Sequence, residues 1–191
     1  MDLVLASTSK YRRQLLERLG LPFRCRAPLI DEEQLKDPRL SPYALAEMLA
    51  EAKTFSLRDA EPTATIIGGD QVAACDERIL GKPGTEAAAV EQLFSLAGRT
   101  HQLITAICLW HEGRLSKHVD VTTLHMRPLT TPEIERYVAA DQPLDCAGSY
   151  KLEQRGITLF SSIQSADQTA IVGLPLMALT SMLRDIGCEI P

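Results

Sequence analysis

The sequence predicts an α/β or α+β fold, with a mixed central sheet flanked by helices. Short apolar runs rich in β-formers alternate with helical patterns. Helices at both ends around mixed strands argue against a sandwich. A long central hairpin argues against a purely parallel Rossmann sheet.

In order, Leu3-Val4-Leu5-Ala6 reads as a short buried strand. A helix follows from about Lys10 to Leu19, with Leu15, Leu16 and Leu19 as its apolar face, and Gly20 stops it. Ser41-Pro42 supplies an N-cap and a first-turn proline for a second helix to about Leu57. Thr65-Ile66-Ile67 is a strand that ends in Gly68-Gly69-Asp70. Thr85 caps a helix through about Leu96, ended by Gly98. Leu103 to Trp110 and Leu115 to Met126 read as two strands joined by a His111-Glu112-Gly113 loop. Thr131-Pro132 opens a helix to about Ala140, Gly156 to Ser162 reads as a strand, and Pro175 to Ile186 is the last helix, stopped by Gly187. Trp110, the only tryptophan, is expected in the core.

The chain has 191 residues, which suits one domain over 1–191 with room for two lobes, and no metal or disulfide staple is needed to bury a core. The net charge of −5 argues against a nucleic-acid coat protein, which would be basic overall. No run of about 18 apolar residues suggests a membrane helix, and the N-terminus lacks the pattern of a signal peptide. The five cysteines are scattered, without C-x-x-C, so a reduced cytoplasmic protein with unpaired, mostly buried thiols is expected. The four histidines lack zinc-ligand spacing.

The first segment with chemical content is Ser7-Thr8-Ser9-Lys10-Tyr11-Arg12-Arg13. Three cations crowd the start of a helix whose dipole is already positive there. An anion docked at that end would explain them, with free N–H groups, serine hydroxyls and an arginine fork converging on phosphate. A solvated basic face is the plainer alternative. Lys53 falls at the border of an apolar helix face, and Lys82 sits in the Gly81-Lys82-Pro83-Gly84 turn. Each alone fits an ordinary surface lysine as well.

Asp70 stands at the carboxyl end of a buried strand, after two glycines that permit close approach of a ligand. Asp31-Glu32-Glu33 is a second acidic cluster, placed in a loop. Carboxylates beside phosphate-binding bases suggest a hydrated divalent metal and a proton acceptor. For the 31–33 cluster alone, a solvated loop is the simpler reading.

Taken together, these segments resemble the Maf family of nucleoside triphosphate pyrophosphatases over essentially the whole chain. Leu5-Ala6-Ser7-Thr8-Ser9-Lys10-Tyr11-Arg12-Arg13 is similar to the family's L-A-S-x-S-P-R-R opening, with Lys10 for the usual proline. Ile30-Asp31-Glu32, Ala50-Glu51-Ala52-Lys53, Gly69-Asp70-Gln71-Val72 and Gly81-Lys82-Pro83 follow in the family's order. So do Gly98-Arg99-Thr100-His101, Ala147-Gly148-Ser149-Tyr150 and Gly173-Leu174-Pro175. The resemblance implies an α/β architecture with a cleft between two lobes, a homodimer, and hydrolysis of a nucleoside triphosphate to monophosphate and diphosphate. It implies that Ser7, Ser9, Arg12, Lys53 and Lys82 bind phosphates. Glu32 and Asp70 would hold a divalent cation, Mg2+ or Mn2+, and Asp70 would accept the proton.

Family members differ at three places around the base. The type acting on dTTP and UTP looks like Arg, Thr and Gln there, whereas this chain has Tyr11, Gln71 and Glu153. That set resembles the subgroup acting on 7-methylguanosine triphosphate. The chemistry agrees: N7-methylation makes guanine cationic, and a tyrosine face offers a cation–π gain of roughly 0.5–2 kcal/mol. A glutamate carboxylate accepts both N1–H and N2–H of guanine, whereas the lone pairs of uracil or thymine would face it badly. A pyrimidine-type pyrophosphatase and a nucleotide-sensing regulator of septum formation stay open as alternatives.

Overall fold

The computed structural model describes residues 1–37, 39–76 and 78–191. One seven-stranded sheet runs in the order β2 (Arg24–Arg26), β1 (Leu3–Ala6), β3 (Thr65–Cys75), β5 (Thr100–His111), β6 (Arg114–Met126), β7 (Phe160–Gln164), with β4 (Arg78–Leu80) paired to β3. β1 pairs in parallel with β2 and β3, whereas β4 is antiparallel to β3 and β7 to β6. The sheet is therefore mixed, as expected. Its central hairpin turns at Glu112-Gly113, with φ of +44° and +83°. Positive φ at both positions gives the turn the twist that adjoining strands need. The helices are α1 (Lys10–Glu17), α2 (Glu32–Leu35), α3 (Pro42–Phe55), α4 (Glu86–Leu96), α5 (Thr131–Asp141), α6 (Gln168–Val172) and α7 (Leu176–Asp185).

The chain divides into two compact units: residues 1–71, 105–120 and 167–191, and residues 72–104 and 121–166. In the first unit β1 is buried on both faces, which is why it reads as a continuous apolar run rather than an alternation. Leu3 and Leu5 join Leu15, Leu16, Ile107 and Leu179 in one cluster. Val4 and Ala6 join Leu57, Ala64 and Ile66 in another, against which Trp110 packs. Trp110 also meets Phe55 edge-on at 5.5 Å. Each fully buried aliphatic side chain contributes roughly 1.5–3 kcal/mol. In the second unit α4 packs against α5, and His101, Tyr150 and Phe160 form a ring cluster with centroids 4.9–5.8 Å apart.

Four expectations need correction. β2 was not anticipated, because an edge strand of sequence Arg-Cys-Arg carries no apolar alternation. Charges cover its edge: Arg24 reaches Asp2 at 2.7 Å and Glu61 at 2.9 Å, and Arg26 also pairs with Glu61. The Asp31-Glu32-Glu33 stretch is not a plain loop; Asp31 accepts from the Glu33 amide at 3.1 Å and caps the single turn of α2. The expected strand 156–162 begins instead as a 3-10 turn, Arg155–Leu159, before β7. Gly156 N donates to Lys151 O at 3.0 Å, so the chain curls back before it extends. All five cysteines are free, but only Cys75 and Cys108 are buried; Cys25 is exposed on β2.

Candidate active site

In the first unit β1 hands over to α1 through a turn fixed by serines. Ser7, 5% exposed, accepts from the Ser9 amide at 3.1 Å, and Ser9 caps α1 by accepting from Arg12 N at 3.4 Å. The three cations then part company. Arg13 pairs with Glu17 on the surface at 3.0 Å. Lys10 Nζ lies 4.9 Å from the centroid of the Tyr11 ring. Only Arg12 is drawn inward: its Nε donates to Gly173 O at 2.9 Å and Nη1 to Ser7 Oγ at 3.5 Å. A guanidinium has five N–H donors, and these two bonds aim it without exhausting it. Burial lowers the Arg12 pKa, and the negative charges of Asp70 and Glu32 oppose that shift.

Asp70 and Lys53 are both buried, at 7% and 5% exposure. Lys53 Nζ donates to Asp70 Oδ1 at 2.7 Å and lies 2.9 Å from Glu32 Oε2. One ammonium thus bridges Asp70 and the α2 glutamate; β3 runs on to Cys75, so Asp70 lies in mid-strand and not at the carboxyl end that the sequence suggests. The helix-border position of Lys53 in the sequence becomes a buried one because α3 lies against β3 with no room between them. A Cβ on Gly68 would stand 2.1 Å from Thr54 Oγ1 and 2.6 Å from Ala50 O. On Gly69 it would stand 3.3 Å from Ala106 O and 3.6 Å from Arg12 Nε. The two glycines therefore admit protein, not ligand, which corrects the sequence-based expectation.

Arg12 and Lys53 balance Asp70 and Glu32 in charge, so a polyphosphate entering this cluster would bring excess negative charge. The carboxylates are acceptor-only and are already gathered around a cation. Such a pair fits Mg2+ or a similar ion, which takes one or two carboxylates and completes its shell with water and phosphate oxygens. Among the described residues no group of three or more His, Cys, Asp or Glu could form a full protein shell.

Gln71 follows Asp70 and points to the other face of β3. Its Nε2 donates to Thr105 Oγ1 at 2.9 Å, Ala170 O at 3.0 Å and Ile171 O at 3.1 Å. Two of these acceptors are carbonyls, so the amide nitrogen is fixed toward α6. The α6 segment also supplies the carbonyl that aims Arg12. It is anchored by Asp167, whose carboxylate accepts from Thr169 N and Met177 N, both at 2.8 Å. The sequence reading missed this role. Gly173-Leu174-Pro175 was the available signal, since a glycine at φ +117° marks a forced turn.

The second unit holds Lys82, exposed in its turn, and Glu153, exposed in the loop after Tyr150. Gly84 N donates to Leu144 O at 3.1 Å, which fixes the turn's end. His101 is 2% exposed, and its Nε2 lies 2.9 Å from Tyr150 Oη, while Nδ1 has no hydrogen-bond partner among the described residues. Burial pushes the His101 pKa down to about 4, so the ring is neutral near pH 7. Of the sequence-predicted residues, the structure gathers Arg12, Glu32, Lys53 and Asp70 with Ser7 and Ser9. It sets Gln71 on the opposite strand face, and Lys82 and Glu153 in the second unit.

Comparison with known proteins bears on this arrangement. Residues 2–186 match the family described as Maf-like protein. A protein of Bdellovibrio bacteriovorus named 7-methyl-GTP pyrophosphatase is 51% identical over 96% of each chain. One of the same name from Pseudomonas fluorescens is 45% identical over 100% of each. The solved structure of a nucleoside-triphosphatase / dITP/XTP pyrophosphatase from Mycobacterium abscessus is a remote likeness, 14% identical. It covers 96% of this chain and 99% of that one with a TM-score of 0.44, and adds no weight. With a family match over nearly its whole length and relatives about half identical from end to end, the chain belongs to the Maf family.

Proposed function

We propose that the protein hydrolyses a nucleoside triphosphate at its α–β anhydride, giving a nucleoside monophosphate and diphosphate, with 7-methyl-GTP as substrate. The Asp70–Lys53–Glu32 cluster carries this reading, because it sets two metal-competent carboxylates beside Arg12, of which the buried Asp70 can also accept a proton and Glu32 stays half-exposed. The end-to-end relatives named 7-methyl-GTP pyrophosphatase support the substrate. On this reading residues 1–191 act as one catalytic domain. Its place is the cytoplasm, where the five free cysteines stay reduced. Among the described residues no helix is long and apolar enough to cross a membrane.

Ser7, Ser9 and the α1 N-terminus bind phosphate oxygens by hydrogen bonds, and Arg12, Lys53 and Lys82 by charge. Asp70 takes the proton of the attacking water. Glu32 and Asp70 hold Mg2+ or Mn2+, which when bound would polarise a phosphate oxygen and offset charge on the leaving diphosphate. Tyr11 stacks on the cationic base, Glu153 accepts from N1–H and N2–H, and Gln71 offers Oε1, since its nitrogen is held by α6.

The test is diphosphate release with Mg2+ or Mn2+ from 7-methyl-GTP, GTP, dTTP, UTP and CTP. Preference for 7-methyl-GTP over GTP supports the Tyr11 and Glu153 assignments. Preference for dTTP or UTP would keep the reaction and reject the base. Hydrolysis of none, with nucleotide still bound, would favour a sensing role.

A further inference from the structure

Two segments of the second unit carry residues proposed to meet opposite ends of the substrate: the 81–84 turn with Lys82, and the 147–156 loop with Glu153. One side chain joins them. Gln92, on α4, donates from Nε2 to Gly81 O at 3.2 Å and accepts at Oε1 from Ser149 Oγ at 2.5 Å. Both ends of a planar amide are engaged, and because the Gly81 carbonyl oxygen can only accept, the nitrogen must face it.

The Ser149 end is demanding. Ser149 is fully buried, at 0% exposure, and sits at φ +62° directly after Gly148 at +81°. A non-glycine residue stays in that left-handed region only where its surroundings hold it. Its buried hydroxyl also needs a partner, and Gln92 provides one. Beyond Ser149 the loop has little slack. Lys151 N donates to Tyr137 Oη at 2.9 Å, Lys151 Nζ donates to Asp141 O and Gln142 O at 3.0 Å, and Gln154 N donates to Lys151 O at 3.1 Å. A shift at Ser149 is therefore passed toward Glu153. At the other end Gly81 adjoins Lys82 directly, and Pro83 stiffens the far side. Two further ties, Gly84 to Leu144 and Gln142 to Glu86, join the chain before Gly148 and reach the Glu153 stretch indirectly, through Lys151 Nζ on Gln142 O and Arg155 N on Asp141 Oδ2, whereas Gln92 holds the loop at Ser149 itself.

We infer that Gln92 is a positioning residue that links the phosphate-binding turn at Lys82 to the base-reading loop at Glu153, so that recognition at one end alters recognition at the other. The inference rests on the roles proposed above for Lys82 and Glu153.

The experiment is a double-mutant cycle on kcat/KM for 7-methyl-GTP, combining Lys82→Ala with Glu153→Gln. It is run in the parent protein and again with Gln92→Leu. Ser149→Gly serves as a second background, because glycine suits φ +62° and severs the same link without strain. In the parent the combined loss should depart from the product of the single losses by about 5–10-fold. In either severed background the departure should shrink to within about 2-fold, with KM raised more than kcat is lowered. Coupling that persists in both backgrounds overturns the inference. So does a Gln92→Leu protein with lower kcat but unchanged KM and unchanged preference for 7-methyl-GTP over GTP, since that is loss of folded enzyme alone. If Lys82→Ala and Glu153→Gln change neither KM nor preference in the parent, the roles proposed for those residues fail and the link falls with them.

Discussion

Lys53 and Lys82 carry the same charge and, on the proposed reading, serve the same phosphates, yet the fold treats them oppositely. Lys53 is 5% exposed and sits between two carboxylates, whereas Lys82 is exposed on a turn whose backbone alone is fixed. A buried ammonium is bound up with folding, because removing it strands Asp70 beside Glu32. An exposed one is free to act only on ligand. The contrast separates binding chemistry that is built into the core from binding chemistry that is added at the surface.

The strongest way to sharpen that contrast is to leave the cation and remove the base. Asp70→Asn should lower kcat by about 10³-fold, within the range of a lost general base, while nucleotide binding by calorimetry persists. Weak binding together with lost turnover would mean Asp70 supports the site rather than the proton transfer. Next, Lys53→Met should cost about 2–4 kcal/mol of stability in urea denaturation, because one buried carboxylate loses its partner. Lys82→Ala should stay within about 0.5 kcal/mol of the parent while KM rises several-fold. Equal stability losses would erase the distinction between the two lysines. Glu153→Gln should reduce the preference for 7-methyl-GTP over dTTP by about 10-fold in kcat/KM, with an unchanged melting temperature.

A smaller effect concerns pH. His101 has an ordinary value of 6.5 and is held at about 4 in the fold. Between those values only the unfolded chain takes up the proton, so stability falls as pH drops from 6.5 toward 4. Above 6.5 the ring is neutral in both states, and below about 4 both states are protonated, so no further loss accrues from it. The total is about 3 kcal/mol. His101→Gln should flatten the pH dependence of urea midpoints through this window; an unchanged slope would assign the loss to other groups.

Much of the sheet was legible because β1, β3 and most of β5 are buried on both faces, and several helices start at Ser, Thr and Pro signals. Ser41 and Thr85 cap where the sequence puts them. β2 was hidden because an edge strand clothed in Arg24 and Arg26 has no apolar period. α6 escaped because five residues do not span two helical turns. At the site, Asp70, Lys53 and Arg12 could be singled out by residue type, although the strand-end position expected of Asp70 is a mid-strand one. Their mutual geometry could not, because the Lys53 bridge depends on contact between α3 and β3, and the aim of Arg12 on a carbonyl 161 residues away. Gln92 lay outside any reading by spacing, since its two partners are brought together only by the fold.

The absence of a side chain at position 68 closes that position to drift. The close approach is not set by Thr54 Oγ1 alone, because Ala50 O and Thr54 N, both backbone atoms, would stand 2.6 and 2.8 Å from any Cβ there. No second substitution can shorten a backbone atom, so trimming Thr54 would not rescue Gly68→Ala. A suppressor search begun from that variant should return only reversion, which would make position 68 a fixed point in the evolution of the chain.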